Sequence, residues 1–243
     1  MRILFVRHGD PDYDHDCLTP LGKREAQATS ERLAHVDIDA FYVSPLGRAR
    51  ETAEATLQKK NATATVCDWL REFEAPIHRP DTPGQWTIPW DWLPQDWAAE
   101  DRFYRPDEWY EVPAMREGNV IREFDRVGDG LDGILAEHGY VREGRLYRVE
   151  QPNTKTLCFF CHFGVTAVMI AHLLSLSPMP LWHGLVAAPA SVTAFCSEER
   201  REGIACFRMN HYGDTAHLEA AGLGANPSAR FTEIYSDMSQ RHD

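Results

Sequence analysis

Two histidines follow two apolar runs in this sequence. An Arg-His-Gly triplet at positions 7–9 comes directly after residues 3–6, and His162 comes directly after residues 155–161, two positions before Gly164. Short apolar runs with β-branched residues predict buried strands. Ligands of open α/β sheets bind at the carboxyl ends of such strands. A guanidinium beside imidazoles that titrate near neutral pH suits an anion that undergoes nucleophilic attack.

A third segment, with the sequence SPLGRA, occupies positions 44–49 between the two histidines. Together with the RHG triplet and the late H-x-G, it resembles the histidine phosphatase superfamily, also called phosphoglycerate-mutase-like, and its phosphatase branch in particular. The resemblance covers most of the chain. It implies a metal-independent phosphatase that hydrolyses a small phosphate monoester through a phosphohistidine on His8, with no cofactor and no bound metal.

The resemblance also implies a role for each of five side chains. Arg7 and Arg48 would clamp the phosphate dianion with planar donors, and His8 would attack phosphorus. His162, as an imidazolium, would steady the equatorial oxygens. Glu72, in an L-x-E segment, would protonate the leaving alcohol and later help to deprotonate water.

Other functions remain open on the same residues. A phosphomutase that moves phosphate within one molecule uses the same core, but the L-T-x-x-G segment at positions 18–22 is of the phosphatase type. A non-catalytic binder of phosphorylated ligands is disfavoured because all five side chains occur together. The sequence has 11 histidines, yet no H-x-x-x-H or HExxH pattern that would predict a metal site.

The loop after the first histidine departs from the family pattern. Asp10 and Asp14 stand where many members carry Glu and Asn. An ionised Asp14 would repel a phosphate dianion, so it is not expected to bind phosphate.

Composition limits the partners and the compartment. The formal net charge of −12 argues against nucleic acid or an anionic membrane as a partner and leaves a small phosphorylated metabolite. No apolar run approaches a signal peptide or a membrane span.

Cys158 and Cys161 form a CxxC inside a predicted strand, where their side chains point to opposite faces. Inert buried thiols and a cytoplasmic location are therefore expected.

The order of elements predicts one α/β domain over residues 1–243. Strands at 40–43, 63–69 and 155–161 alternate with helices, which predicts a three-layer sandwich: a mostly parallel central sheet with helices on both faces. Ser44-Pro45 is predicted to begin a helix that carries Arg48. An antiparallel hairpin at 191–210 is expected to close the sheet at an edge.

Two further segments are interpreted from their patterns. A charged connection that contains Gly144 is expected to lead to the strand at 155–161. The apolar residues of the tail have weak helical spacing: Phe231, Ile234, Tyr235 and Met238.

An insertion at about 75–118 interrupts this pattern. It holds five of the seven tryptophans and seven of the 15 prolines. Proline at this density breaks regular structure, whereas tryptophan argues for order. The resemblance implies a lid over the active site, and packing against the core or a homodimer contact is the alternative.

Overall fold

The computed structural model describes residues 1–242. This part of the chain contains twelve strands and eight α-helices. The strands are Arg2–Arg7 (β1), Pro11–Asp12 (β2), Cys17–Leu18 (β3), Ala40–Val43 (β4), Ala64–Val66 (β5), Ile77–His78 (β6), Trp86–Thr87 (β7), Tyr140–Glu143 (β8), Leu146–Val149 (β9), Thr156–Cys161 (β10), Val192–Arg201 (β11) and Ile204–Asp214 (β12). The helices are Pro20–Ala34 (α1), Gly47–Lys60 (α2), Pro94–Ala98 (α3), Pro113–Glu117 (α4), Val120–Glu137 (α5), Phe163–Leu174 (α6), Met179–Gly184 (α7) and Ala216–Ala220 (α8).

Eight strands form the central sheet, in the order β5-β4-β10-β1-β11-β12-β9-β8. The first four are parallel to one another, and the rest pair antiparallel. The predicted α/β class with a large central sheet is confirmed. The antiparallel hairpin β11–β12 lies beside β1 rather than at the edge, because β9 and β8 continue the sheet beyond it.

The core lies on both faces of this sheet. Phe5 and Phe159 point toward the cluster that includes α5 and α6, while Val6 and Phe160 point toward α1 and α2. All six residues of β10 are buried, as expected for a parallel strand covered on both sides. Cys158 and Cys161 of the CxxC are fully buried in different clusters, as the strand assignment predicts.

The start of α2 differs from the prediction. Ser44 was expected to cap the helix, but α2 begins at Gly47 after Leu46, and that position makes no side-chain cap bond. The Ser44 hydroxyl instead contacts the ring of His162, with Oγ and Nε2 2.7 Å apart. The same oxygen also accepts from the Leu46 N–H at 3.3 Å, so the hydroxyl contacts both the turn before α2 and the histidine ring.

Three further segments differ from expectation. Residues 140–149, predicted as a charged connection, form the hairpin β8–β9, which turns at Gly144 with φ of +60°. The strand predicted at 63–69 shortens to β5 and a 3₁₀ turn at Asp68–Leu70. The tail at 231–238, whose spacing weakly favoured a helix, is not helical.

The insertion at 75–118 is a set of short elements packed on the α5–α6 side of the sheet. It contains β6, β7, α3, α4 and 3₁₀ turns at Asp101–Tyr104 and Trp109–Glu111. Trp92 and Trp109 are buried in the main core cluster and attach the insertion to it. Its role as a lid stays a prediction.

Close packing of the first loop against α1 predicts a contrast between two glycines. A Cβ at Gly22 would lie 2.2 Å from the backbone oxygen of Asp10, whereas nothing lies within 4 Å of a Cβ at the exposed helical position Gly133. We expect Gly22→Ala to lower the free energy of unfolding by about 3 kcal/mol. Gly133→Ala should raise it by about 0.5–1 kcal/mol. Urea denaturation measures both, and equal effects would contradict the packing described.

Candidate active site

The two histidines lie side by side at the carboxyl ends of β1 and β10. Arg7 pairs with Cys161 in the parallel register, and the His8 N–H donates to the Cys161 carbonyl at 3.0 Å. The imidazole rings of His8 and His162 consequently have centroids 5.0 Å apart. The register of two strands thus brings together residues 154 positions apart in the sequence.

The ring of His8 has a defined orientation. His8 is 1% exposed, and its Nδ1 lies 2.8 Å from the carbonyl oxygen of Gly9. A carbonyl can only accept, so Nδ1 carries the proton and Nε2 keeps its lone pair. Burial, with Arg7 and Arg48 nearby, holds the pKa of His8 well below its usual range. Nε2 is therefore an unprotonated nitrogen at neutral pH.

His162 is fully buried and precedes the first turn of α6. Burial, the neighbouring His8 and the two arginines hold the pKa of His162 well below its usual range. The lowered pKa favours a neutral ring in the ligand-free protein, and the imidazolium expected to steady a bound phosphate stays a prediction. Nε2 is occupied by the Ser44 hydroxyl, and Nδ1 is buried with no partner among residues 1–242. If the hydroxyl donates to Nε2, Nδ1–H is a donor for a bound ligand.

Two arginines flank the histidines. Arg7 donates from Nη1 to the Ala187 carbonyl, and Arg48 donates from Nη1 to Asp16 Oδ1 at 2.6 Å. In both guanidinium groups Nε is buried and has no acceptor among residues 1–242. Unused buried donors of this kind are costly unless a ligand accepts from them. Both arginines are thus held in place while retaining capacity to bind an oxyanion.

Glu72 contacts the first turn of α6. Its Oε1 accepts hydrogen bonds from the backbone N–H groups of Phe73 and Val165, at 2.8 and 3.0 Å. A Cβ at Gly164 would lie 2.8 Å from the same oxygen, so the glycine of the H-x-G segment admits the carboxyl group. Burial raises the pKa of Glu72 despite these bonds. Both of these bonds go to Oε1, and neither uses Oε2.

Asp16 holds Arg48 in the site, although the sequence did not indicate it as a site residue. Its Oδ2 accepts from the Gly47 N–H at 2.7 Å while Oδ1 holds Arg48. Partial burial opposes ionisation, but these bonds outweigh it, so the pKa of Asp16 lies below its usual value. Asp14, at the position where the family often has Asn, is exposed, and its backbone N–H donates to Oδ1 of Asp12. The expectation that Asp14 does not bind phosphate stays a prediction.

The loop after His8 is held by residues distant in sequence. Asp10 accepts from the Thr19 hydroxyl at 2.6 Å and from the Asn226 amide at 2.7 Å. Its own N–H donates to the buried carboxyl group of Glu25 at 2.6 Å. The side chain of Asp10 is therefore engaged in fixing the loop that follows His8.

Two kinds of feature are absent from residues 1–242. No group of three or more His, Cys, Asp or Glu side chains could hold a metal ion in this part of the chain. No helix within it is long and apolar enough to cross a bilayer.

The fold and this geometry define an α/β protein with a buried histidine–arginine site for an anion. The family comparison then identifies the class: a model of the histidine phosphatase superfamily (branch 1) matches residues 3–210. The chain belongs to this superfamily.

Individual relatives are distant. A protein of Schizosaccharomyces pombe, named as a probable phosphatase, is 22% identical over 239 residues, 92% of this chain and 98% of that protein. The structure of a phosphoserine phosphatase from Entamoeba histolytica matches with a TM-score of 0.60 and 18% identity, over 89% of this chain and 98% of that one. A mycobacterial glucosyl-3-phosphoglycerate phosphatase matches with a TM-score of 0.56 and 20% identity, over 88% and 99%. At these identities the structures show a shared fold.

The two buried imidazoles predict unusual titration. In the ligand-free protein both pKa values should lie well below the ordinary value of about 6.5. As the pH falls, the unfolded chain binds protons on these two rings at a higher pH than the folded protein does. The free energy of unfolding should therefore decrease as the pH falls below about 6.5. NMR titration of the ring Cε1–H signals tests this. Ordinary titration of either buried ring would contradict the assignment.

The ion pair that holds Arg48 predicts a difference between two neighbouring aspartates. Asp16→Ala should lower kcat/KM on a phosphate ester by about 10- to 100-fold, because a hydrogen bond to a charged group is lost. Asp16→Asn keeps an acceptor and should lose less. The control Asp14→Ala removes an exposed carboxylate and should change little. Improved activity in Asp16→Asn would mean that the negative charge, not the position of Arg48, matters.

Proposed function

We propose that this protein is a metal-independent phosphatase that hydrolyses a phosphate monoester of a small molecule through a phosphohistidine on His8. Membership of the superfamily and the phosphatases among its relatives support a phosphatase. The observation that carries the mechanism is the orientation of His8. Its Nδ1–H is bound to the Gly9 carbonyl, which leaves Nε2 unprotonated between two arginines.

The first step forms the covalent intermediate. The phosphate dianion binds to Arg7, Arg48 and the N–H of His162, whose donors match its oxygens. Nε2 of His8 attacks phosphorus, and the bond from phosphorus to the leaving oxygen breaks. Glu72 gives a proton to that oxygen, and burial, which raises the pKa of Glu72, favours the protonated form that this step needs.

The second step reverses these roles. Glu72, now a carboxylate, accepts a proton from a water molecule as the water attacks phosphorus. The bond from phosphorus to Nε2 breaks, inorganic phosphate leaves, and His8 recovers its lone pair. Covalent catalysis of this kind replaces one difficult displacement by two easier ones. Positive charge comes from side chains, so no step needs a metal ion.

Hydrolysis of p-nitrophenyl phosphate in the presence of EDTA tests the mechanism. His8→Ala should lower kcat at least about 10³-fold, because the nucleophile is lost. Acid-labile, base-stable phosphate should be trapped on the wild-type protein after rapid quenching and be absent from the variant. The control His35→Ala removes an exposed imidazole and should retain activity.

Three outcomes would contradict the proposal in different ways. Equal activity in wild type and His8→Ala would remove His8 as the nucleophile. Loss of wild-type activity in EDTA would require a metal ion. Isomerisation of a phosphorylated substrate after addition of a bisphosphorylated primer, without net release of phosphate, would identify a mutase.

A further inference from the structure

A cavity of about 970 Å³ lies beside the phosphate site. Three parts of the chain form its walls: the insertion, the region of α6 and α7, and the C-terminal segment 229–242. Six aromatic side chains dominate the lining: Trp92, Trp97, Phe163, Trp182, Phe231 and Tyr235.

The cavity and the phosphate site share a wall. Phe163 lines the cavity and directly follows His162, and its ring centroid is 5.7 Å from Cζ of Arg7. Val186 also lines the cavity, and the carbonyl of the next residue, Ala187, accepts from Arg7. A phosphoryl group bound to Arg7 therefore lies at the boundary of this space.

The C-terminal wall is held against the insertion. Arg241 pairs with Asp91 at 3.1 Å, and its Cζ lies 4.2 Å from the ring centroid of Phe231. Both charged groups of this pair line the cavity, and Arg230 is a further cation in its lining. The superfamily model matches residues 3–210, so this wall lies beyond the matched residues.

The volume of the cavity and the side chains that line it together indicate what kind of ligand it binds. Ligand pockets of about 300–1,000 Å³ enclose molecules of drug size, and this cavity is at the upper end of that range. A three-carbon phosphorylated acid would leave most of it unfilled. Aromatic walls favour flat apolar groups, which stack or pack edge to face on them, over charged groups that would lose hydration.

We propose that this cavity binds the leaving group of the substrate, and that the substrate is the phosphate monoester of an alcohol carrying a large apolar ring system. The assignment rests on the proposed phosphatase activity, because it places the phosphoryl group on Arg7 and His8. Trp97 and Phe231, from opposite walls, contact the ring system. The C-terminal segment is thus part of the substrate-binding site.

Hydrolysis of three primary alkyl phosphates tests this: ethyl, phenethyl and naphthylethyl phosphate. Their leaving groups are all primary alkoxides, so differences in kcat/KM report binding of the attached group. Naphthylethyl phosphate should exceed ethyl phosphate by about 100-fold, with phenethyl phosphate between them, since even one methylene in an apolar pocket gives about 10–200-fold.

Variants of the two walls locate the effect. Trp97→Ala and Phe231→Ala should each reduce the preference for naphthylethyl over ethyl phosphate by about tenfold, without changing kcat/KM for ethyl phosphate or inhibition by inorganic phosphate. Phe231 is 39% exposed, so its replacement leaves the core intact. The matched control is Trp86→Ala, which removes an exposed tryptophan of the insertion outside the cavity and should leave the preference unchanged.

The outcomes separate the two proposals. Equal kcat/KM for the three esters, with hydrolysis that depends on His8, would overturn the cavity assignment and leave the phosphatase proposal standing. Equal losses on all esters in the wall variants would also overturn it, because the cavity would then support the fold and not the leaving group. No hydrolysis of any ester or of p-nitrophenyl phosphate would overturn both.

Discussion

Parallel pairing of β10 with β1 on one side and β4 on the other is the constraint on which the candidate site depends. It places Arg7 opposite Cys161 and Val43 opposite Phe160, so the residues after the three strands meet at one edge. A slip of one residue would turn every side chain of a strand to the opposite face. Because β10 is buried on both faces, such a slip would disrupt both clusters at once, and the register is strongly fixed.

The electrostatics of the site follow from this crowding. Two imidazoles 5.0 Å apart beside two guanidinium groups cannot readily bear further positive charge, so burial and repulsion keep both rings neutral. A neutral His8 is what nucleophilic attack needs. A bound dianion would reverse the balance by attracting protons to His162. The net charge of −12 spread over the chain does not prevent this, because local donors decide what the site binds.

The sequence indicated three residues of the candidate site: His8, Arg48 and His162. Each lies at the end of a strand or the start of a helix, where the element itself determines which edge of the sheet the residue occupies. Asp16 could not: it is one of four alternating aspartates at 10–16, and the fold decides which reaches Arg48. Nor could the bond of Asn226 to Asp10, 216 positions apart. The hairpin β8–β9 was missed because its exposed face is charged, which hides buried residues such as Tyr147.

The tail shows why the spacing of apolar residues does not predict secondary structure when the surface on which the segment packs is unknown. Its apolar residues at 231, 234, 235 and 238 have helical spacing, but so short a segment gains little from helix formation without packing. In the structure the segment lies across the insertion instead, and Phe231 and Tyr235 face a cavity. The five side chains proposed for the phosphoryl chemistry lie within residues 3–210, which the family model matches, whereas the proposed site for the leaving group also uses the tail beyond them. The short motifs therefore indicate a class of reaction, whereas the segments proposed to contact the leaving group carry no motif from which a substrate could be predicted.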